Sequence, residues 1–129
     1  MRVLIVDDSA VNREFLLGLV EEFGECVAVD SGEKALARFL EADAAGRPFA
    51  LVFLDIMLPG IDGLATLERM RAIERERRSP RPVKVVVTTG LDNGRKAGLE
   101  RLRDQAVAYL VKPFTPETVL AELKGFGLI

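Results

Sequence analysis

Side chains that can do chemistry recur in this sequence directly after short apolar runs. Asp7-Asp8 follows the run RVLIV, Asp55 follows FALVFL, VKVVVTT ends on two hydroxyls, and Lys112 follows VAYLV. Three carboxylates brought together repel one another unless a cation lies between them. The chain contains no histidine. An oxygen-rich set of this kind favours Mg²⁺, with Mn²⁺ as the second choice.

The same groups could act on phosphate. Mg²⁺ prefers sites that also hold a phosphoryl group, and the ammonium of Lys112 can bind one of its oxygens. A threonine hydroxyl and the amides around Gly90 can donate to another oxygen. A carboxylate such as Asp55 can then act as a nucleophile and form an aspartyl phosphate. The absence of histidine excludes Ser-His-Asp and Cys-His catalysis.

Strand-like and helix-like segments alternate along the chain and would position these groups. The predicted strands are Arg2–Val6, Cys26–Val29, Phe49–Leu54, Val83–Thr89 and Val107–Val111. The predicted helices are Ala10–Phe23, a segment from Ser31 to Gly46, Gly63–Arg77, Leu91–Asp104, and a segment from Thr115 to Gly125. This order predicts an α/β fold with one doubly wound, five-stranded parallel sheet and five helices. Parallel strands end at one edge of the sheet, so the polar groups should converge there.

Length and composition fit a single domain over residues 1–129, with 49% apolar and 29% charged residues. The net charge of −2 provides no general attraction to nucleic acid or to an anionic membrane. No apolar run approaches the roughly 20 residues of a membrane span. The single cysteine, Cys26, excludes an internal disulfide and fits a reducing compartment. We therefore expect a cytoplasmic protein with no membrane partner and no direct nucleic-acid binding.

Four stretches, in this order, resemble the receiver domain of two-component response regulators. They are VLIVDDSAVNR (Val3–Arg13), LDIMLPGIDG (Leu54–Gly63), VTTG (Val87–Gly90) and YLVKPF (Tyr109–Phe114). The resemblance covers essentially the whole chain. It implies a flavodoxin-like fold with strand order 2-1-3-4-5.

The resemblance also implies roles for the acidic residues. Asp55 is expected to take a phosphoryl group from a phosphohistidine of a sensor histidine kinase or phosphotransfer protein. Asp8 is expected to ligate Mg²⁺ directly, with Asp7 acting largely through metal-bound water. The backbone carbonyl of Met57 is expected to complete the ligands that the protein supplies.

Three further roles follow from the same resemblance. Lys112 is expected to bind the phosphoryl group, and its peptide bond to Pro113 is expected to be cis. Tyr109 matches an aromatic switch residue. For the switch hydroxyl we choose Thr89 over Thr88, because the family has a hydroxyl followed by a small residue and Gly90 follows Thr89. Strand alternation lets only one of the two threonines face the site.

The implied function is a signalling switch, which promotes its own phosphoryl transfer and the hydrolysis of its aspartyl phosphate. Phosphorylation is expected to change partner binding at the surface of the fourth helix, the fifth strand and the fifth helix. Two segments depart from the family pattern. Arg75–Pro82 is longer and more charged than usual, which predicts an extended or bulged third helix. The fourth helix ends in Asp104-Gln105-Ala106, where relatives more often have Gly-Ala.

Three other protein classes share parts of this pattern. A pseudo-receiver would have the fold without phosphorylation, but it has no need of three clustered carboxylates. A phosphatase of the haloacid-dehalogenase type would carry a second aspartate two residues after the nucleophile, where this chain has Met57. A flavin carrier would need hydroxyls and amides after the first strand, where this chain has Asp7-Asp8.

Overall fold

The structure is a computed structural model that describes residues 1–90 and 108–129. Its strands are β1 (Arg2–Val6), β2 (Glu25–Val29), β3 (Leu51–Asp55), β4 (Lys84–Thr89) and β5 (Ala108–Val111). Its α-helices over these residues are α1 (Ala10–Val20), α2 (Gly32–Ala44), α3 (Gly63–Glu76) and α4 (Pro116–Gly125), the last being the fifth helix of the sequence prediction. A 3₁₀ turn, Glu21–Phe23, follows α1. The helix predicted at Leu91–Asp104 lies outside the described residues.

The five strands form one parallel sheet in the order β2-β1-β3-β4-β5. This order confirms the predicted doubly wound, flavodoxin-like α/β fold. The register pairs Val6 with Leu54 and Asp55 with Thr88. It also pairs Thr89 with Val111. Strands β1, β3, β4 and β5 therefore end side by side at one edge of the sheet.

The central strand β3 is buried over its full length, as its continuous apolar run predicts. Alternate side chains enter two separate cores. Val52 and Leu54 pack in the core on the α2–α3 side, and Leu51 and Phe53 pack in the core on the α1–α4 side. Burial of each such side chain contributes roughly 1.5–3 kcal/mol, so β3 is a firm support for the residue at its end.

Side-chain caps start the helices shortly after the strands end. The Ser9 hydroxyl accepts from the Asn12 N–H at the start of α1 and so caps this helix. Asp62 caps α3 in the same way, accepting from the Ala65 N–H at 2.8 Å. These caps satisfy backbone N–H groups that have no partner within the helix. They also fix where the loops that carry the polar groups end.

The segment after α3 differs from the prediction of an extended or bulged helix. α3 ends at Glu76, with Arg77 as its C-cap residue. Arg78 has a positive φ of 51°, which a continuing α-helix does not allow. Pro80 and Pro82 follow and cannot donate helical hydrogen bonds. The additional charged residues therefore form a link into β4.

No α-helix within residues 1–90 and 108–129 combines the length and apolar character needed to cross a membrane.

Candidate functional site

The carboxyl edge of the sheet brings Asp7, Asp55 and Lys112 into direct contact. Lys112 Nζ lies 3.0 Å from Asp7 Oδ2 and 3.1 Å from Asp55 Oδ2. The three residues follow or end β1, β3 and β5, and are far apart in the sequence. The predicted convergence of strand-end groups therefore occurs, with one ammonium placed between two carboxylates.

Asp8 joins these residues in an acidic cluster. One carboxylate oxygen from each of Asp7, Asp8 and Asp55 lies within 4.8 Å of the other two. Asp7 and Asp55 are only 1% and 3% exposed, whereas Asp8 is exposed to solvent. When all are ionised, three carboxylates and one ammonium leave an excess of negative charge. A cluster with this spacing could hold a metal ion.

A buried oxygen of Asp7 supports this fit. The contact between Lys112 Nζ and Asp7 Oδ2 is an ion pair without the direction of a hydrogen bond. Asp7 Oδ2 therefore has no hydrogen-bond donor among the described residues. A buried carboxylate oxygen is costly in that state. A cation bound beside it would satisfy the oxygen, and the donor set is the hard oxygen type that Mg²⁺ favours.

The other oxygen of each buried carboxylate is held by backbone. Asp7 Oδ1 accepts from the Ser9 N–H at 2.9 Å, and Asp55 Oδ1 accepts from the Met57 N–H at 3.0 Å. Arg13 donates from Nη1 to the carbonyl oxygen of Asp7 at 2.7 Å. Each carboxylate thus uses one oxygen to fix its orientation, while its Oδ2 contacts Lys112.

The loop after β3 is held by close packing and by a side chain of α2. A Cβ on Gly63 would lie 2.3 Å from the carbonyl oxygen of Asp55, so this approach requires glycine. Glu33 Oε1 accepts from the Ile61 N–H at 2.8 Å. Met57, in the same loop, has a side chain that is 52% exposed. Glu33 was not predicted as part of the site, because nothing in the sequence links it to a loop 28 residues away.

The environment shifts the pKa values of two site residues upward. Burial raises the pKa of Asp55, and the charge of Asp7 adds to the rise, while the Met57 N–H and Lys112 oppose it. For Lys112, burial acts to lower the pKa, but its contacts with Asp7 and Asp55 outweigh burial and raise it. Lys112 therefore stays charged at neutral pH, beside a carboxylate that is costly to ionise.

The two candidate switch threonines point to opposite sides of the sheet. Both are 1% exposed. Residues two apart in a strand share a face of the sheet. Thr88 therefore lies on the same side as Val86, which packs on the α1–α4 side, and Thr89 lies on the same side as Val87, which packs on the α2–α3 side. Tyr109 is half-buried and packs against the same core as Val87. Thr89 and Tyr109 thus lie on one side of the sheet.

The segment after β5 begins at the site. The Lys112 N–H donates to the Thr89 carbonyl oxygen at 2.7 Å, which joins this segment to β4. The peptide bond between Lys112 and Pro113 is cis, which confirms the expectation from the resemblance. The Phe114 ring contacts Phe15 of α1 at 5.7 Å between centroids. The segment that carries Lys112 is therefore held by β4 on one side and by α1 on the other.

Comparisons with curated proteins and solved structures agree with this fold. The family model of the response regulator receiver domain matches residues 3–124. The chain is 36% identical over 127 residues to the transcriptional regulatory protein AruR of Pseudomonas aeruginosa, covering 96% of the chain and 48% of that protein. It is 36% identical over 131 residues to the sensor histidine kinase GacS of Pseudomonas protegens, covering 98% of the chain and 13% of that protein.

The solved structures include the response regulator protein TrrA from Thermotoga maritima in complex with Mg²⁺-BeF. That structure has a TM-score of 0.76 at 29% identity, covering 99% of this chain and 98% of TrrA. A CheY-like receiver domain from Methanospirillum hungatei also has a TM-score of 0.76, at 26% identity, with 97% and 91% covered. The chain spans less than half the length of AruR and a small part of GacS. The chain belongs to the response regulator receiver domain family of two-component signalling proteins.

Proposed function

We propose that residues 1–129 form one receiver domain that accepts a phosphoryl group on Asp55. The observation that carries this proposal is the contact of Lys112 with both Asp7 and Asp55, in a cluster that Asp8 completes. The donor would be the phosphohistidine of a sensor histidine kinase or of a phosphotransfer protein. One relative is named a sensor histidine kinase and another a transcriptional regulatory protein, so this chain's output partner is left open.

Asp8, Asp7, Asp55 and the Met57 carbonyl would hold Mg²⁺, with Mn²⁺ as the alternative. When bound, the ion offsets negative charge on the phosphoryl oxygens during transfer. The solved structure of TrrA, which contains Mg²⁺-BeF, supports this choice of metal. Asp7 Oδ2 supports it independently, because it is a buried acceptor that contacts Lys112 Nζ but has no hydrogen-bond donor among the described residues.

In the transfer step, a carboxylate oxygen of Asp55 attacks phosphorus. The new oxygen–phosphorus bond forms as the bond between phosphorus and the imidazole nitrogen breaks. Lys112 stays protonated and binds a phosphoryl oxygen, since its raised pKa keeps its charge at neutral pH. Water later hydrolyses the aspartyl phosphate, so the chain acts as a switch that resets itself.

The switch step would use Thr89 and Tyr109. The Thr89 hydroxyl would donate to the phosphoryl group, and the Tyr109 ring would take the space that this movement leaves. Their placement on the same side of the sheet supports their acting together, whereas the strand register places Thr88 beside Asp55. The altered surface would include β5, α4 and the helix predicted at Leu91–Asp104, which lies outside the described residues. This is a two-state equilibrium biased by a local charge change.

The single free cysteine fits a reducing compartment, so we propose a cytoplasmic location.

The direct test is phosphorylation by a small acyl phosphate in the presence of Mg²⁺, followed by mass spectrometry of the intact chain. The wild type should gain the mass of one phosphoryl group, and a chelator should prevent the gain. Asp55→Asn should lose the adduct, whereas the matched control Asp30→Asn, outside the cluster, should keep it. A folded Asp55→Asn chain that still gains the phosphoryl mass would refute the assignment.

A further inference from the structure

A cavity of about 200 Å³ lies at the amino ends of β3 and β4, opposite the acidic edge. Its wall is mainly apolar. Phe39, Phe49 and Val83 are each at most 7% exposed, and Pro48 and Pro80 complete this part of the lining. An apolar cavity of about 150 Å³ can hold a benzene-sized molecule. The space is therefore sufficient for one aromatic or leucine-type side chain.

Buried Glu74 fixes one wall of the cavity. Its Oε2 accepts from the Val83 N–H at 2.6 Å. Arg71 donates from Nη1 to Glu74 Oε1 and to the Val83 carbonyl oxygen, both at 2.8 Å. The Ser79 N–H donates to the Glu74 carbonyl oxygen at 3.0 Å. The link from α3 to β4 is thus held at both ends. The pocket is therefore preformed, and binding a ligand there would cost little conformational entropy of the protein.

An arginine-rich segment adjoins the cavity, whose lining contains Arg81 and two acidic residues. Residues 75–81 contain four arginines and one glutamate, in a chain whose net charge is −2. Arg81 lines the cavity, and Arg77 Nη1 lies 2.9 Å from Oδ2 of Asp43 in the cavity wall. Arg78 immediately precedes Ser79, another lining residue. Arg78 and Arg81 have no ion pair with any residue that the structure describes, so their charges are available to a partner.

We propose that this cavity and its arginine rim (Arg77, Arg78 and Arg81) dock an acidic segment of a partner protein, which inserts one aromatic or leucine-type side chain. An apolar anchor in a pocket surrounded by charge contacts is how compact protein interfaces obtain affinity and specificity. Single-stranded nucleic acid fits less well, because it needs exposed rings for stacking and Phe39 and Phe49 are buried. The docking is independent of phosphoryl transfer at Asp55.

The test uses the full chain, isotope-labelled, and three blocked pentapeptides as probes. The first has the sequence Glu-Glu-Phe-Glu-Glu, the second replaces Phe by Ser, and the third replaces each Glu by Lys. The first peptide should shift the amide resonances of Phe49 and Val83 in a saturable way. The other two should bind at least ~10-fold more weakly, since each lacks one of the two recognition elements.

Two variants distinguish a specific effect of the arginine rim from a general effect of the net charge of the chain. Arg81→Glu should weaken binding of the first peptide by ~10-fold or more. Lys124→Glu carries the same charge change on exposed α4 and should leave binding unchanged.

Several outcomes would overturn the docking proposal. Equal binding of the serine peptide would exclude the cavity as the anchor site. Shifts centred on Lys112 would place the peptide at the other edge of the sheet. Displacement of the peptide by a single-stranded oligonucleotide bound at the rim would make nucleic acid the partner. If the amide resonances of Phe49 and Val83 shifted in the same way when the chain was concentrated without peptide, the occupant would be a second copy of the chain.

Discussion

Asp55, the proposed nucleophile, lies in an environment that disfavours its ionised form. It is buried, and Asp7 is a second carboxylate in the same cluster. Among the described residues, Lys112 and the Met57 N–H favour its ionised form, yet the pKa of Asp55 stays above its ordinary value of 3.8. Because the pKa is raised, protonated Asp55 favours the folded state. This stabilisation is complete below pH 3.8 and is lost as the pH rises through the folded-state pKa. At neutral pH, ionised Asp55 destabilises the metal-free fold.

Asp55→Asn should therefore stabilise the metal-free protein at pH 7. The amide removes the buried charge and keeps an oxygen acceptor for the Met57 N–H. We expect the Tm to rise by about 3 °C or more, which corresponds to roughly 1 kcal/mol for a chain of this size. Thermal unfolding with a chelator present would measure the change.

The control for this prediction is Asp30→Asn. The hydrogen bond from Lys34 lowers the pKa of Asp30, so this substitution should give no gain. A lower Tm for Asp55→Asn than for the wild type at pH 7 would contradict the expected sign.

Glu33 is the residue through which α2 positions the loop of the proposed metal site. The Ile61 N–H lowers the pKa of Glu33, so the carboxylate is ionised at neutral pH. Glu33→Ala should lower Mg²⁺ affinity by about 10-fold, a typical effect of removing a residue that supports metal ligands. Glu33→Gln should lose less, because it keeps an oxygen acceptor for Ile61. Calorimetric titration with Mg²⁺ would measure both variants.

Glu41→Ala is the matched control for Glu33, since Glu41 lies on the same helix and pairs only with exposed Arg38 among the described residues. This variant should bind Mg²⁺ like the wild type. Unchanged affinity in Glu33→Ala would show that the loop does not need the carboxylate.

At the scale of elements, the apolar runs and the β-α order were sufficient to predict the sheet. They were also sufficient to predict that Asp7, Asp55 and Lys112 converge, because parallel strands end at a common edge. The start of β3 was less well predicted. Phe49 belongs to the apolar run but lies outside the strand, and its ring is buried in the cavity wall. A run of apolar residues indicates which residues are buried, but a buried residue need not be paired in a strand.

Contacts made by side chains between distant elements could not be predicted. Glu74 lies on α3 among charged residues that suggest a solvated surface, yet it is buried against the backbone of Val83. The contact of Glu33 with Ile61 is of the same kind. Both depend on how helices pack on the finished sheet, and a hydrophobic pattern carries no information about which charged residue faces inward. The tertiary fold determines these two contacts.

Glu74→Ala should destabilise the link between α3 and β4. It leaves the Val83 N–H without its acceptor and removes one partner of Arg71 at a buried position. We expect a loss of about 2–4 kcal/mol in the free energy of unfolding, measured by urea titration.

Glu76→Ala provides the comparison for this substitution, because Glu76 is exposed in the last turn of the same helix. It should change the free energy of unfolding by no more than ~0.5 kcal/mol. A similarly small effect of Glu74→Ala would mean that the hydrogen bonds of Glu74 do not hold the link.

At the scale of the whole molecule, two cores secure the sheet, while ionised Asp55 at its acidic edge opposes folding. Bound Mg²⁺ should relieve that opposition. The free energy of unfolding should rise by about 2.7 kcal/mol when Mg²⁺ is at 100 times its Kd. Thermal unfolding over a range of Mg²⁺ concentrations would show the rise, and a chelator should reverse it.

Asp8→Ala should greatly reduce the stabilisation by Mg²⁺, since Asp8 is the proposed direct ligand, and should leave the metal-free protein folded because Asp8 is exposed. The same rise in Tm in Asp8→Ala as in the wild type would place the ion elsewhere.

Strand β3 connects two different edges of the molecule. Asp55 ends it, and Phe49 lies two residues before its first residue, in the cavity wall. The six residue steps from Phe49 to Asp55, at about 3.3 Å each, give a separation of at most roughly 20 Å. A kinase engaged at Asp55 and a segment held beside Phe49 would therefore occupy opposite ends of the same strand. If both belonged to one protein, the second contact would act as a tether and raise the local concentration of the phosphohistidine at Asp55.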